Sequence, residues 1–253
     1  LDSKDVELTI AKGQLVIKTN NSSYKISTMS GNDFPLFDRS DSDETININQ
    51  EKLLTLFNKT HFSMAQQDVR FYLNGLLLET GPNKIKAIAT DGHRLASSEM
   101  SLDKKQINNT ASIVPRKAIQ ELIRLLDNKD AVRAEIGPNS ICFTFNNLTF
   151  ISKLIDGKFP DYNRVIPTNT EINIHLNSLV FKPSLQRVSI LANEKFKGIR
   201  LETTGNSLDL SSENPEQEQA NESIPLQEKV KKIVVGFNVS YLIDAVSSCE
   251  GNA

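Results

Sequence analysis

The stretch ATDGHRLA, Ala89–Ala96, places a carboxylate, an imidazole and a guanidinium within four residues. Such side chains serve as general acids or bases, metal ligands or phosphate anchors. One interpretation is therefore a hydrolase that uses Asp91 and His93. Another is a turn in which Gly92 takes a positive φ and Asp91 accepts hydrogen bonds from backbone N–H groups. A third places the same residues at the rim of a binding site.

The other residues of the chain give little support to catalysis. The three histidines, His61, His93 and His175, have no second His or Cys at metal-ligand spacing. Nucleophile-elbow, P-loop and dinucleotide-binding motifs do not occur in the sequence. We therefore expect no metal, no cofactor and no catalytic residues.

Composition indicates a soluble, cytoplasmic protein. Apolar residues make up 38% and charged residues 24% of the 253 residues, and no apolar run approaches the roughly 20 residues of a membrane span. Cys142 and Cys249 lie far apart, which fits a reducing compartment. The net charge of −2 makes any nucleic-acid binding depend on local patches. The chain begins with Leu1 and not with Met, and we expect it to be a fragment.

The sequence repeats itself faintly. The tripeptide LET occurs at Leu78–Thr80 and again at Leu201–Thr203, and Gly75 and Gly198 share the same offset of 123 residues. The segments TININ and EINIH, and the strand pairs LTIAKGQLVIKT and AEIGPNSICFTF, match at an offset of 126. This self-similarity predicts two similar units of about 125 residues, preceded by the tail of a third.

Each unit has the same order of predicted elements, which indicates an α+β fold with a sheet backed by two helices. The first unit contains the strand TININ, a helix Gln50–Thr60, the strands VRFYLNGLLLE and KIKAIATD, a helix Pro115–Asp127 with Pro at its first position, and a closing β-hairpin. Asn74-Gly75 is typical of a hairpin turn. Because the second unit has Lys197-Gly198 there, we favour a strand with a bulge or a close backbone approach at the glycine.

Basic residues follow one side of two predicted helices. Lys117 and Arg124 lie opposite the apolar face of the helix Pro115–Asp127, and Lys182 and Arg187 lie on a helix that we interpret as its counterpart in the second unit. One interpretation is a solvated face. The other is a surface that contacts the phosphates of a polyanion without reading bases.

Seven stretches of the chain resemble the bacterial DNA polymerase III beta subunit, the sliding clamp family: HFSMAQQDVRFYLNG, IATDGHRLA, IVPRKAIQEL, SKLIDGKFPDYNRVIP, LANEKFKGIRLE, ENPEQEQA and GFNVSYLIDA. The resemblance covers nearly the whole chain, in order. It implies a ring of two protomers around DNA, each with three clamp domains of antiparallel sheet backed by two helices. Residues 1–35 would be the C-terminal remnant of domain 1, residues 45–155 the central domain, and residues 170–253 the third domain, truncated at its C-terminal end.

The resemblance also gives a role to the opening motif. In this family the segment like ATDGHRLA borders a peptide-binding pocket between the second and third domains, and it is not catalytic. An apolar socket of Leu73, Leu95, Pro160 and Val165 would hold a Leu or Phe anchor, with Arg and His at the rim. We expect the pocket to be incomplete, because the family also uses C-terminal strands that this chain lacks. The implied pocket residues are Arg70, Tyr72, Leu73, Thr90, Gly92, His93, Arg94, Leu95, Pro160, Arg164, Val165, Asn238 and Tyr241.

Contacts with DNA and with a second protomer are implied as well. The implied DNA-binding residues are Gln67, Phe71, Tyr72, Arg116, Lys117, Arg124 and Arg187. The implied dimer-interface residues are Tyr24 and Ile26 on one side of the ring seam, and Ile190 and Leu191 of the third-domain helix on the other. Asn21 and Ser23 stand where some relatives carry basic residues.

The implied function is that of a non-catalytic processivity factor, which encircles duplex DNA without sequence preference and tethers a polymerase at high effective concentration. The implied partners are double-stranded DNA, the catalytic subunit of the replicative DNA polymerase, the clamp loader, other polymerases and repair proteins with clamp-binding peptides, and a second copy that completes a homodimeric ring. Nucleotidyltransferase activity would belong to the complex. The alternatives are the hydrolase described above and a β-rich peptide-binding adaptor that does not encircle DNA.

Overall fold

The computed structural model describes residues 5–34, 44–102, 109–127, 130–168 and 170–249. The chain divides into two compact units, residues 1–39 and residues 40–253. Pro35, the predicted last residue of the domain 1 remnant, lies outside the described residues.

The smaller unit contains one antiparallel sheet of three strands, β1 (Glu7–Ala11), β2 (Gln14–Lys18) and β3 (Ser23–Ser27). The register aligns Ile17 of β2 with Tyr24 of β3, and Leu15 with Ile26. Directly paired residues share one face of a sheet, so these four side chains form one apolar face. Tyr24 and Ile26, the predicted seam residues of this unit, are 50% and 51% exposed on that face.

The first repeat lies in the larger unit and contains two four-stranded antiparallel sheets, with strand orders β7-β6-β5-β8 and β11-β10-β9-β4. Its elements are β4 (Glu44–Asn49), α1 (Gln50–Asn58), β5 (Gly75–Gly81), β6 (Lys84–Thr90), β7 (Leu95–Ser101), β8 (Thr110–Pro115), α2 (Arg116–Leu125), β9 (Ala131–Ile136), β10 (Ser140–Phe145) and β11 (Leu148–Lys153). Leu53, Leu76, Ile119 and Phe143 are completely buried in a core that both helices share with both sheets. The antiparallel sheets and the pair of helices confirm the predicted fold class.

The second repeat contains a sheet equivalent to the β7-β6-β5-β8 sheet of the first repeat. Its elements are α3 (Ser178–Val188), β12 (Gly198–Thr203), β13 (Gly205–Glu213), β14 (Gln219–Val230), β15 (Val234–Asn238) and α4 (Val239–Ser248). The strand order β14-β13-β12-β15 matches β7-β6-β5-β8. Leu76 pairs with Val114 in one sheet, and Ile199 pairs with Phe237 in the other. Ile199 lies 123 residues after Leu76, and Phe237 lies 123 residues after Val114. The repeat seen in the sequence is therefore a repeat of strand register.

One predicted element of the second repeat is missing from the described structure. Residues 170–177, which include the segment EINIH, form no strand, although its counterpart TININ forms β4. In the first repeat β4 pairs with β9, the strand that follows α2. The described residues end one position after α4, so they offer no equivalent of β9 to pair with residues 170–177.

The helix boundaries correct several predictions. α1 ends at Asn58 and α2 at Leu125, each two residues before the predicted end. Pro115 is the N-cap of α2, with extended backbone, and not its first helical residue. The predicted strand VRFYLNGLLLE begins only at Gly75, because Phe71–Leu73 form a 3-10 turn.

The predicted repetition of basic helix residues is also wrong. α2 follows β8, and its counterpart by order and register is α4, which follows β15. α4 contains no Lys or Arg. Lys182 and Arg187 lie on α3, which precedes β12 and is the counterpart of α1.

Gly75 lies within a strand at a close approach of backbone and side chains, and not in a hairpin turn. A Cβ atom on Gly75 would lie 2.7 Å from the carbonyl oxygen of Val114, 2.8 Å from Ile113 and 2.9 Å from Ile155. Only glycine fits at such a position. At Gly198 a Cβ atom would meet none of the described residues within 4 Å.

Within the ranges that the structure describes, no helix has both the length and the apolar character required to cross a membrane.

Candidate functional site

A cavity of about 370 Å³ lies beside the turn at Asp91–Arg94. Ten of the thirteen predicted pocket residues line it: Arg70, Tyr72, Leu73, Thr90, Gly92, His93, Arg94, Leu95, Pro160 and Val165. Asp161 and Tyr162 also line the cavity, and reasoning from the sequence missed both. The signal that could have identified Tyr162 is the presence of two aromatic residues, Phe159 and Tyr162, in the largely polar segment DGKFPDYNR.

The apolar floor of the cavity belongs to a second, smaller core on the outer face of the β7-β6-β5-β8 sheet. Leu77 and Ile88 point to this face, because side chains alternate along a strand. Residues 155–165 cross the same face, and Ile155 starts the crossing by donating its N–H to the carbonyl of Ile113 at 2.9 Å. Leu73, which is 2% exposed, also lines the cavity.

Tyr162 fixes the crossing segment at its far end. The residue is 9% exposed, and its hydroxyl donates a hydrogen bond to Oε2 of Glu79 at 2.7 Å. The Nζ of Lys86 donates to the same hydroxyl at 3.2 Å and lies 4.5 Å from the ring centroid. Burial, and then the hydrogen bond to Glu79, raise the pKa of Tyr162 to about 12. The phenol therefore stays protonated and continues to donate at physiological pH.

The residues Asp91–Arg94 form a turn, which was the second interpretation of this motif. Gly92 has φ of +88°. Oδ1 of Asp91 accepts the backbone N–H groups of His93 at 2.9 Å and Arg94 at 3.0 Å. Thr90 closes the turn by donating its hydroxyl to the carbonyl of Arg94 at 2.7 Å. The Asp91 carboxylate thus binds its own turn, so the geometry gives no support to a hydrolase in which Asp91 activates His93.

Arg70 covers this turn from one side. A Cβ atom on Gly92 would lie 3.0 Å from Nη2 of Arg70, so the glycine allows the guanidinium to approach. Two nitrogens of Arg70 donate to the carboxylate of Asp68, at 3.0 Å and 2.8 Å. These hydrogen bonds lower the pKa of Asp68 to about 2. The rim of the cavity therefore carries a bidentate ion pair and not a free cation.

Arg94 lines the cavity, but its guanidinium is held inside the protein. Nε donates to Oδ2 of Asp91 at 3.1 Å, Nη1 to Oδ2 of Asp244 at 2.5 Å, and Nη2 to the carbonyl of Phe62 at 2.8 Å. The guanidinium carbon lies 4.5 Å from the centroid of the Tyr241 ring and 5.4 Å from that of Phe62. The side chain is 20% exposed. Arg94 therefore connects the turn of the first repeat to α4 of the second.

Three predicted pocket residues do not line the cavity. Arg164 is 83% exposed and pairs with Asp161 at 2.9 Å. Asn238 caps α4 by accepting the N–H of Ser240 at 2.9 Å, and it lines a separate cavity of about 660 Å³ in the second repeat. Tyr241 stands beside the cavity through its contact with Arg94.

The predicted DNA-binding residues fall into two groups. Gln67, with φ of +57°, and Arg116 line a polar cavity of about 430 Å³ that shares His93 and Arg94 with the apolar one. Phe71 is 57% exposed, and its ring centroid lies 6.0 Å from that of Tyr72. These residues lie near the pocket.

The other predicted DNA-binding residues are helical, and they differ in how free their charges are. Lys117 is exposed on α2, and Arg124 is 72% exposed and pairs with Glu121 at 3.0 Å. Arg187 forms a close bidentate ion pair with Glu222. Phosphate binding by Arg187 would therefore compete with an existing partner, whereas Lys117 would meet no such competitor among its described neighbours.

The predicted seam residues of the second repeat lie just beyond α3. The sequence predicted that Ile190 and Leu191 lie on the helix. They belong instead to the 3-10 turn Ser189–Leu191 that follows it. Ile190 is 77% exposed, and Leu191 is half-buried.

In the described ranges, no group of three His, Cys, Asp or Glu side chains could hold a metal ion.

Comparisons with known proteins agree with this architecture. Two sequence models of the DNA polymerase III beta subunit match the chain, that of the central domain over residues 47–161 and that of the C-terminal domain over residues 163–253. The beta sliding clamp of Pseudomonas putida is 42% identical over 95% of this chain and 66% of its own length. That of Escherichia coli K12 is 37% identical over 98% of this chain and 69% of its own length.

Solved structures give the same result. The DNA polymerase III subunit beta of Pseudomonas aeruginosa superimposes with a TM-score of 0.92 at 38% identity, covering 98% of this chain and 68% of that chain. A sliding clamp of the same organism bound to griselimycin superimposes with a TM-score of 0.91 at 38% identity, covering 98% of this chain and 67% of that chain. This chain thus spans about two thirds of the length of the curated relatives that it matches. With both domain models matched in order and relatives of this identity, the chain belongs to the bacterial DNA polymerase III beta subunit family, the beta sliding clamps.

Proposed function

We propose that the protein is a DNA sliding clamp, a non-catalytic processivity factor that encircles duplex DNA as a homodimeric ring in the cytoplasm. The observation that carries this proposal is the match of both clamp domain models to one chain whose two repeats share strand order and register. Residues 1–35, 45–155 and 170–253 would belong to the first, central and third clamp domains. The clamp would raise processivity by keeping the polymerase near its template, so that rebinding becomes intramolecular.

The cavity beside Asp91–Arg94 would bind the partners of the clamp. Its floor offers buried apolar surface at Leu73 and half-buried surface at Leu95, as a socket for a Leu or Phe side chain requires. The exposed His93 could orient polar groups of a short peptide, whereas Arg94 is already bound within the protein. The proposed ligands are peptides of the replicative polymerase catalytic subunit, the clamp loader, and other polymerases and repair proteins.

DNA would pass through the ring without being read. Lys117 and Arg124 on α2 present exposed charge in a chain of net charge −2. Contacts of this kind reach phosphates and slide easily, because they carry no sequence information. Gln67, Phe71, Tyr72, Arg116 and Arg187 are the other proposed contacts, of which Arg187 would first have to leave Glu222.

An adaptor that binds peptides without encircling DNA is the second candidate. It is favoured by the absence of Lys and Arg from α4 and by the pairing of Arg187 with Glu222. Both features reduce the positive charge that a protein surface facing DNA would need.

Retention on circular DNA separates the two candidates. The full-length protein, a clamp loader and ATP would be incubated with a nicked circular plasmid and passed over a gel-filtration column. A clamp should co-elute with the circle, be released when one restriction cut linearises it, and lengthen the products of a replicative polymerase. Elution apart from the circle, with peptide binding retained, would reject the clamp in favour of the adaptor.

Griselimycin offers a second probe, because a related clamp has been crystallised with it. We expect griselimycin to displace a labelled Leu- and Phe-containing peptide from this protein. Simultaneous binding of both would place griselimycin outside the proposed pocket.

A further inference from the structure

The side of the cavity formed by Arg94 is held in place by a residue that does not line it. Asp244 belongs to α4, 150 residues after Arg94, and accepts the hydrogen bond of its Nη1. We propose that Asp244 is a positioning residue of the peptide pocket: through Arg94 it fixes α4 against the Asp91–Arg94 turn and sets the place of the Tyr241 ring. This inference rests on the proposed function of the cavity.

Helical spacing allows the guanidinium of Arg94 to contact both Asp244 and Tyr241. Tyr241 and Asp244 are three residues apart on α4, so their side chains share one face of the helix. The guanidinium of Arg94 bonds the carboxylate and covers the ring at 4.5 Å. A planar cation can do both at once, because it donates in its plane and stacks with its faces. If the guanidinium moved, both contacts with α4 would change together.

The other partners of Arg94 cannot replace Asp244. The bond to Asp91 spans three residues and stays within the turn. The bond to the carbonyl of Phe62 stays within the first repeat. Of the contacts described for this guanidinium, only those with Asp244 and Tyr241 reach the second repeat, and only Asp244 supplies an opposite charge there.

Asp244 also balances charge around this contact. Arg116 lies nearby and donates Nη1 to the carbonyl of Met64 at 2.7 Å. Burial and then Arg116 lower the pKa of His61, while the Asp244 carboxylate acts in the opposite direction. The Asp244 carboxylate therefore acts on His61, the residue before Phe62, in addition to its direct bond with Arg94.

The test uses the full-length protein and a fluorescein-labelled decapeptide with one Leu and one Phe among Gly, Ser and Gln residues. Anisotropy titrations would compare the wild type with Asp244→Asn, which keeps the side-chain shape but removes the charge. We expect a loss of affinity of about three- to tenfold, typical for a partly exposed, hydrogen-bonded ion pair. Asp244→Glu should restore part of it. Ser247→Ala removes a hydroxyl that bonds the carbonyl of Ile243 within α4, and this matched control should bind like the wild type.

A second readout separates positioning from general loss of structure. Labelling with 3-fluorotyrosine gives one fluorine NMR signal for each tyrosine, including the four of this chain, and single Tyr→Phe changes identify the signals of Tyr162 and Tyr241. Asp244→Asn should move the Tyr241 signal and leave that of Tyr162, which bonds Glu79, in place. An unmoved Tyr241 signal would overturn the proposal, as would equal peptide affinity of Asp244→Asn and the wild type.

A double-mutant cycle tests whether Asp244 acts through Arg94, and Asp244→Glu takes the place of Asp244→Asn in the cycle if the Asn variant is poorly folded. In an Arg94→Gln background, Asp244→Asn should cost little further affinity, because the ion pair is already absent there. Losses that simply add would mean that Asp244 acts independently of Arg94, and would reject the inference. If the wild type failed to bind the decapeptide that contains Leu and Phe, the proposed pocket itself would be rejected. This outcome differs from a failure of the inference about Asp244, in which the wild type still binds.

Discussion

The hydroxyl of Tyr162 donates to the carboxylate of Glu79 at 2.7 Å, across 83 residues of sequence. This bond joins the segment that crosses the sheet to strand β5. Pro160 and Val165, which lie on either side of Tyr162, line the cavity opposite the Asp91–Arg94 turn. The shape of the proposed pocket therefore depends on a buried tyrosine whose hydroxyl is bonded within the protein.

Removal of this hydroxyl should destabilise the protein modestly. Tyr162→Phe should lower the free energy of unfolding by about 1 kcal/mol, because Glu79 loses its donor and Lys86 loses the acceptor of its Nζ. Urea unfolding followed by circular dichroism measures this. Thr149→Val, which removes an exposed hydroxyl from β11, is the control and should change little. Equal stability of all three proteins would show that the bond contributes nothing net.

The same bond predicts a dependence on alkaline pH. The pKa of Tyr162 is raised from 10.0 to about 12 in the folded protein, so the folded state holds the proton more tightly than the unfolded chain. The stabilisation is complete below about pH 10 and disappears as the pH rises from about 10 to about 12. The stability difference between the wild type and Tyr162→Phe should shrink over this range. A constant difference would contradict the raised pKa.

Equivalent glycines of the two repeats should respond differently to the same substitution. Gly75→Ala would place a methyl group 2.7 Å from a backbone oxygen and should destabilise by about 1–3 kcal/mol, as overpacking does. Gly198→Ala, at open space among the described residues, should cost less than about 0.5 kcal/mol. Unfolding midpoints of both variants measure the contrast. Similar losses at both sites would show that backbone freedom, and not packing, requires the glycine.

Leu95 should contribute to peptide affinity. Leu95→Ala removes part of the apolar wall and should weaken binding of the labelled decapeptide by about 1–3 kcal/mol, which central contact residues often contribute. Leu179→Ala is the matched control, because Leu179 is 71% exposed on α3 and does not line the cavity. Equal affinities of the wild type and Leu95→Ala would reject the pocket assignment.

Ring closure should depend on the 3-10 turn after α3. Changing Ile190 and Leu191 together to Ala in the full-length protein should shift the mass from dimer towards monomer at micromolar concentration. In a symmetric dimer ring, a substitution that weakens one seam weakens the other equally. Because Ile190 is 77% exposed, the monomer should stay folded. Analytical ultracentrifugation checks the mass, with Leu179→Ala as control, and an unchanged dimer would reject the proposed seam.

Charges on α2 should set the salt dependence of DNA binding. Replacing Lys117 and Arg124 by Ala should flatten the slope of log affinity against log salt by up to about 2, roughly 0.9 for each phosphate that is no longer neutralised. Lys229→Ala with Lys231→Ala removes the same charge from the exposed end of β14 and its loop and should leave the slope unchanged. If the α2 variant kept the wild-type slope and was loaded normally onto DNA, Lys117 and Arg124 would belong only to a solvated face.

Much of the fold and part of the site follow from the sequence alone. The offset of 123 residues predicted the repeat, because strand register and turn positions are set by local spacing, and Leu76 and Ile199 indeed occupy equivalent positions. The turn at Asp91–Gly92 was predictable for the same reason, since its hydrogen bonds span only two or three residues. Family resemblance added the grouping of Arg70, His93 and Pro160, which no local pattern indicates.

Tertiary packing decided what each side chain does. The sequence did not show that Arg94 bonds Asp244, that Tyr162 bonds Glu79, or that Arg187 is paired with Glu222. These partners are 150, 83 and 35 residues apart, and only the docking of helices and sheets brings them together. The strand order likewise identified α4, and not α3, as the counterpart of α2. Spacing along the chain determines local bonds, whereas the partners of long charged and aromatic side chains depend on which surfaces pack against each other.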